Sequence, residues 1–505
     1  MVLMLAKVKS MAVIGLDCEE IDVEVDLSNG LPCFNIVGLP DKAVEEAKER
    51  VKSAIKNSGG LFPQKRITVN LAPADIKKEG PSFDLPIALG ILAAAGQIEF
   101  DTENTLSVGE LSLDGKLRRV NGVLPISMTA KKKGYKEIFV PKINAKEAAI
   151  VEGADVLPVD SLKNLMLHFR GEKNIKKTKN VKVDFSNEET FLDMAHVKGQ
   201  EHAKRALEIA ASGGHNILMS GSPGSGKTLL AKTLTTILPN LTFDESLEVS
   251  KIYSITGALP KEKALITSRP FRNPHHTASS IALVGGGQWP KPGEISLAHR
   301  GVLFLDEMPE FPRSVIEILR QPLEDGTVTI SRANGTLSFP ANFVLVAAQN
   351  PCPCGYLNDP VKNCSCSPGQ IIKYQKKVSG PILDRIDLHI DVPRVETDKL
   401  TSDSMAEYSE DIKKRVEKAR EIQGTRFKGT KKITNSEMTA NDIKEYCKLS
   451  KESLDLLKSA IEKLYLSARS YTKILKISRT IADLDESSNI KSQHIAEALQ
   501  YRPKS

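Results

Sequence analysis

Gly221-Ser222-Pro223-Gly224-Ser225-Gly226-Lys227-Thr228 is a complete GxxxxGK[ST] phosphate loop, and its reading sets the fold class of the chain around it. Its glycines let successive backbone N–H groups, through Leu229, curl around phosphate oxygens at the start of a helix. Lys227 is the side chain expected to reach the β- and γ-phosphates, and Thr228 offers a hydroxyl to Mg²⁺. ATP and Mg²⁺ are therefore the expected cofactors. Downstream, the apolar run Val302-Leu303-Phe304-Leu305 ends in Asp306-Glu307. Asp306 is placed to hold the Mg²⁺ shell. Glu307 adds what a simple nucleotide binder lacks, a carboxylate that orients or deprotonates the attacking water. Loop and acidic strand end together specify an ATP-hydrolysing site on a parallel α/β sheet.

The 505 residues exceed what one hydrophobic core supports, so about three units are expected. With 40% hydrophobic residues the chain has ample core material, yet no stretch approaches the roughly twenty apolar residues of a membrane span. The apolar start, Met1 to Leu5, is too short for a secretory signal. A cytoplasmic location without a membrane partner is the expectation. A net charge of +7 is compatible with a polyanionic partner, and equally with an ordinary solvated surface.

Four segments follow from the patterning. Residues 1–170 form an α/β unit whose alternation Ile21, Val23, Val25, Leu27 marks a half-buried strand. A charged helical segment follows from Asp41 to Ser58. Strands are expected at Ile67–Leu71, Leu106–Leu113 and Glu137–Val140, and a helix at Asp84–Ala95. Residues 171–190, with Lys173, Lys176, Lys177, Lys179 and Lys182, have linker composition. Residues 191–393 alternate helices with short apolar strands, as a parallel nucleotide-binding sheet requires. Residues 394–505 carry Leu454, Leu457, Ile461, Leu464 and Ile474, Leu475, Ile481, Leu484 at helical spacing, which predicts a helical lid.

Several long motifs carry a resemblance. They are Val197-Lys198-Gly199-Gln200, GSPGSGKT, RPFRNPHH (269–276), LVGGG (283–287), PGEISLAHRGVLFLDE (292–307), RQPLEDG (320–326), AAQNPCPCG (347–355) and SGPILDRID (379–387). Over nearly the whole chain the sequence closely resembles the YifB/ComM family of Mg-chelatase-like AAA+ ATPases. The resemblance implies an AAA+ ring, a homo-hexamer, with ATP bound between neighbouring subunits. Asn350, after the strand Val344–Ala347, resembles sensor 1; before Pro351 the same residue also serves as a cap. Arg385 resembles the arginine finger that reaches a neighbour's γ-phosphate, with a salt bridge to Asp384 or Asp387 as the alternative. Arg469 matches sensor 2, with Arg479 the substitute if the register shifts. Asn334-Gly335 between two alternating runs signals a hairpin. In related motors such a hairpin faces the ring pore, which would put Arg332 against a threaded substrate. Gly285-Gly286-Gly287 is a second candidate pore element or a flexible connection.

Cys352-Pro353-Cys354 and Cys364-Ser365-Cys366 form CxC-x9-CxC, four soft donors suited to a structural Zn²⁺. Reduced thiols or a labile disulfide are the alternatives. The adjacent His275 and His276 are expected to point apart. At the amino-terminal end, Lys78-Glu79-Gly80-Pro81-Ser82 and Val108–Lys116 resemble segments of the Lon protease domain, a Lon/S5-like fold. Where that pattern places the catalytic lysine this chain has Leu124, which is no base. Ser82 then becomes the expected cap of the helix at Asp84. Three functions compete: a DNA motor, as the resemblance to the ComM branch implies for branch migration in natural transformation; a remodelling ATPase acting on protein or a metal-chelatase complex; and a Lon-like peptidase.

Overall fold

The computed structural model describes residues 5–179, 181, 183, 185, 192–287, 290–332, 335–395 and 406–503. The chain divides into two compact units, Met1–Asp184 with Phe243–Thr267, and Phe185–Thr242 with Ser268–Ser505. Of the residues named from sequence, Met1, Lys182 and Asn334 lie outside the described ones.

The first unit is built on a seven-stranded mixed sheet. Its strands are β1 (Leu5–Ile14), β2 (Asp17–Ser28), β3 (Cys33–Val37), β4 (Arg66–Ala72), β5 (Thr105–Ser107), β6 (Glu137–Pro141) and β7 (Asp155–Val159). They lie in the order β3-β4-β2-β1-β5-β6-β7. Ile21, Val23, Val25 and Leu27 are buried on one face of β2, as their alternation requires. Strand β1, which the sequence reading passed over, pairs antiparallel with β2 along its whole length. After Asp84 the helix Asp84–Ala94 is apolar on every side, and it is buried at every position but Ala93. A Cβ on its Gly90 would come within 2.5 Å of Val25 Cγ2, so only glycine lets this helix lie against β2.

Four expectations change here. The Asp41–Ser58 helix is two pieces, Lys42–Glu45 and Ala47–Asn57, and the strand at 106–113 is interrupted after Ser107. Ser82 does not cap the helix at Asp84; it sits inside the 3₁₀ turn Pro81–Phe83, and no side chain caps the helix that follows. Asp84 is instead buried and gripped by Arg50 Nε and Nη2 at 2.7 and 2.9 Å. It also accepts from Leu111 N–H at 3.1 Å. Burial raises its carboxyl pKa, and Arg50 opposes that. Phe243–Thr267, inside the 191–393 segment by sequence, is grouped with the first unit. Gly122 N–H bonds Ser254 O at 3.0 Å, and Leu265 packs with Leu124 and Ile150.

The second unit holds a five-stranded sheet, all parallel. Its strands are β8 (Ile217–Ser220), β9 (Phe271–Arg272), β10 (Val302–Leu305), β11 (Val344–Gln349) and β12 (Leu388–Asp391), in the order β9-β10-β11-β8-β12. Every residue of β10 is buried, the mark of a strand covered on both faces. Register aligns Leu305 with Ala347 and Ser220 with Gln349, so the residues that follow these strands emerge along one sheet edge. The carboxy-terminal helices Ser409–Arg426, Ala440–Tyr446, Lys451–Leu464, Ala468–Leu484 and Ser492–Gln500 follow. Their Val416, Ile474, Leu475 and Ile481 share one apolar core with Ala206, Leu207 and Phe304 of the sheet module. Among the described residues no helix is long and apolar enough to cross a membrane.

Candidate ATP-hydrolysing site

The phosphate loop runs from the end of β8 into the helix Lys227–Ile237. Gly224 and Gly226 take positive φ, +77° and +87°, which lets the loop curl with its N–H groups inward. Lys227 is buried. Its ammonium donates to Gly221 O at 2.6 Å, Ser222 O at 3.0 Å and Asn350 Oδ1 at 3.4 Å. Burial lowers its pKa, and the carboxylates of Asp306 and Glu307 work against that. Thr228 Oγ1 donates to Asp306 Oδ2 at 2.9 Å. This pair of hard oxygens suits Mg²⁺. Lys227, Thr228, Asp306 and Asn350 thus converge from three adjacent strands.

Glu307 adopts a left-handed backbone at φ +51°, a conformation that costs a side-chain-bearing residue roughly 1–2 kcal/mol. Its carboxylate is exposed, 3.9 Å from His276 Nδ1. The His275 and His276 rings do not point apart: their centroids lie 4.1 Å from each other. His276 closes the RPFRNPHH motif, whose spacing carries no signal that its ring stands beside Glu307.

Arg385 and Arg469 meet at one acid. Arg385 Nη2 and Arg469 Nη2 both donate to Glu324 Oε1, the latter at 2.7 Å. Arg385, and after it Arg469, hold the Glu324 carboxyl below the usual carboxylate range. The backbone of Arg385 is tied to the base of β8, where Asn216 Nδ2 donates to Arg385 O at 3.1 Å. The salt bridge of Arg385 is therefore to Glu324 of the RQPLEDG motif rather than to Asp384 or Asp387. Sequence spacing carried no signal for this partner, which lies 61 residues away. Arg479, the substitute for Arg469, is 2% exposed. It is pinned to Asp483 and the carbonyls of Ser487 and Ser488, inside the helical bundle.

The strand Thr327–Arg332 pairs antiparallel with Gly335–Pro340, so the hairpin is present, with Arg332 exposed opposite Gly335. A Cβ on Gly286 would lie 3.2 Å from Arg332 Nη2, which brings the glycine loop against the hairpin tip.

The four cysteine sulfurs lie within 4.8 Å of one another, with Cys352 to Cys354, Cys364 to Cys354 and Cys352 to Cys364 at 3.4, 3.6 and 3.7 Å. Four thiolates at Zn–S bonds of about 2.3 Å would stand about 3.8 Å apart, so the donor set fits a tetrahedral zinc. Among the described residues this is the one cluster of metal-ligating side chains.

The order of the strands, the loop and the acidic strand end define a P-loop module of the AAA+ class, the ATP-driven kind of motor unit. Three family patterns match: "Magnesium chelatase, subunit ChlI" over residues 193–400, "Subunit ChlI of Mg-chelatase" over 23–144, and "Magnesium chelatase, subunit ChlI C-terminal" over 406–502. The chain is 46% identical over 506 residues to the competence protein ComM of Haemophilus influenzae, covering 99% of this chain and 97% of that one. It is 43% identical over 503 residues to the uncharacterized protein YifB of Escherichia coli, with 99% and 97% covered. The chain therefore belongs to the magnesium-chelatase-like AAA+ family that includes ComM and YifB. A shorter likeness, 30% over 129 residues, joins 24% of the chain to 13% of the Lon protease of Mycoplasmopsis agalactiae.

Proposed function

We propose that this protein is a ring-forming ATPase, a homo-hexamer that hydrolyses ATP to move along DNA in the cytoplasm. Branch migration of recombination intermediates during natural transformation is the proposed role, in keeping with the name of the Haemophilus relative. The proposed domains are a Lon-like part at 1–170, a linker at 171–190, the AAA+ module at 191–393 and the helical lid at 394–505. Within the site, the backbone of residues 221–229 and Lys227 would hold the phosphates, and Thr228 and Asp306 the Mg²⁺ that neutralises their charge. Glu307 takes the proton of the attacking water, and Asn350 orients that water as sensor 1. Arg385 would act as the arginine finger on the nucleotide of the neighbouring subunit, and Arg469 as sensor 2. Zinc, held by Cys352, Cys354, Cys364 and Cys366, is proposed as structural, because four protein donors leave no open position for catalysis.

The observation that carries the DNA reading is the exposed Arg332 at the hairpin tip against Gly286. A motor that moves along any sequence contacts phosphates rather than base edges, and a guanidinium is suited to them. The test is ATP turnover with and without single-stranded, duplex and forked DNA, in the unmodified and Arg332→Ala proteins at fixed salt. Stimulation that Arg332→Ala removes, with ATP affinity unchanged, is expected. No stimulation by any form gives first place to remodelling of a protein or chelatase complex. Peptidase chemistry stands last, since Leu124 is wholly buried in the first unit with its N–H bonded to Glu147.

A further inference from the structure

The cysteine loop lies directly on the phosphate loop. Its first ligand, Cys352, is two residues past Asn350, and Gly355 follows the CxC pair in a left-handed turn, φ +83°, with its N–H bonded to Cys352 O at 3.0 Å. At Gly355 a Cβ would stand 2.5 and 2.6 Å from Cδ and Cγ of Pro223, the third residue of the phosphate loop. Further along the same loop, Asp359 Oδ1 accepts from the N–H groups of Val361 and Lys362, both at 2.9 Å. Those two bonds hold the turn between the two CxC pairs. One short segment therefore packs on the phosphate loop at Pro223, while its amino-terminal end is the candidate sensor.

We infer that the four-cysteine loop is a buttress for nucleotide binding: it fixes the Ser222-Pro223 turn and Asn350 relative to each other, and Gly355 and Asp359 are its positioning residues. The physical reason lies in how a phosphate loop works. Its N–H groups bind only if the backbone is already curled, and the Lys227 ammonium, which holds the carbonyls of Gly221 and Ser222, leaves the Pro223 turn to take its support from outside the loop. A cross-linked knuckle packed on that turn supplies it. Metal loss would relax the turn and weaken nucleotide binding without touching Lys227, Asp306 or Glu307. The metal half of this inference rests on the zinc reading above; the packing half does not.

The test measures zinc content by elemental analysis, nucleotide dissociation constants with a fluorescent ADP, and far-UV circular dichroism on the same samples. Asp359→Ala is expected to keep its zinc and its spectrum and to bind ADP about three- to tenfold more weakly. Gly355→Ala, which forces a Cβ onto Pro223, is expected to lose about ten- to a hundredfold. Chelation of the intact protein should weaken binding about tenfold, reversed by zinc. If Gly355→Ala and Asp359→Ala bind ADP as the unmodified protein does, the inference is overturned. If the protein holds no zinc yet both variants lose affinity, the zinc reading falls and the buttress stands. Should Gly355→Ala fail to fold, Asp359→Ala alone decides.

Discussion

Two buried lysines, one in each unit, show what separates a site from a core. Lys78 of the first unit and Lys227 of the second both lose water, both have a pKa lowered chiefly by burial, and both give their ammonium to backbone carbonyls. Around Lys227 stand Thr228, Asp306, Asn350 and, through its charge, Glu307, brought in by strands whose ends are in register. Around Lys78 the one charge that opposes burial is Asp75, and its hydrogen bond goes to Pro73 O. A desolvated lysine is thus a poor indicator by itself. The converging polar groups are what make chemistry available.

The sharpest way to break this comparison is to remove each ammonium. Lys227→Ala should reduce ATP binding and turnover to background, while Lys78→Met should leave turnover within about twofold and lower thermal stability only. Equal loss of activity in both would erase the contrast. A second substitution pair sharpens it across subunits. Mixing Arg385→Ala with Lys227→Ala chains should restore part of the hydrolysis, because an intact Lys227 then faces an intact Arg385; no recovery in demonstrably mixed rings would contradict action in trans. Glu324→Gln, which frees both arginines from a shared acid, should change turnover by about three- to tenfold with ADP affinity unchanged, as measured by steady-state kinetics and titration. The smallest effect on activity is expected in the first unit. Asp84→Ala removes the buried carboxylate that Arg50 grips and should cost about 3 kcal/mol in denaturant unfolding of that unit, with ATP turnover nearly intact.

Much of this was legible in the sequence, for uneven reasons. The phosphate loop and the Asp306-Glu307 strand end could be read because their function depends on local spacing, and their relative placement followed from the rule that parallel strands end on one edge. The alternation of β2 was equally plain. Strand β1 was missed because Lys7, Lys9 and Ser10 interrupt its apolar alternation, and Lys9 is held by Glu20 and Asp22 across the pair. Ser82 was misread as a cap because the preceding residues tighten into a 3₁₀ turn, and Asp84 spends its carboxylate on Arg50 rather than on the helix end. Glu324, His276 and the contact of Gly355 with Pro223 were beyond sequence reading altogether. Each joins segments far apart in the chain, so the RPFRNPHH and RQPLEDG motifs marked His276 and Glu324 without showing what they meet.

The central claim is that the second unit hydrolyses ATP with Glu307 as the group acting on water, and one paired measurement on Glu307→Gln addresses it most directly. ATP affinity and steady-state turnover are determined on the same preparation. The account predicts affinity within about threefold of the unmodified protein and turnover at least about a hundredfold lower, because the phosphate cradle stays whole while the base is gone. Near-normal turnover at normal affinity would contradict it.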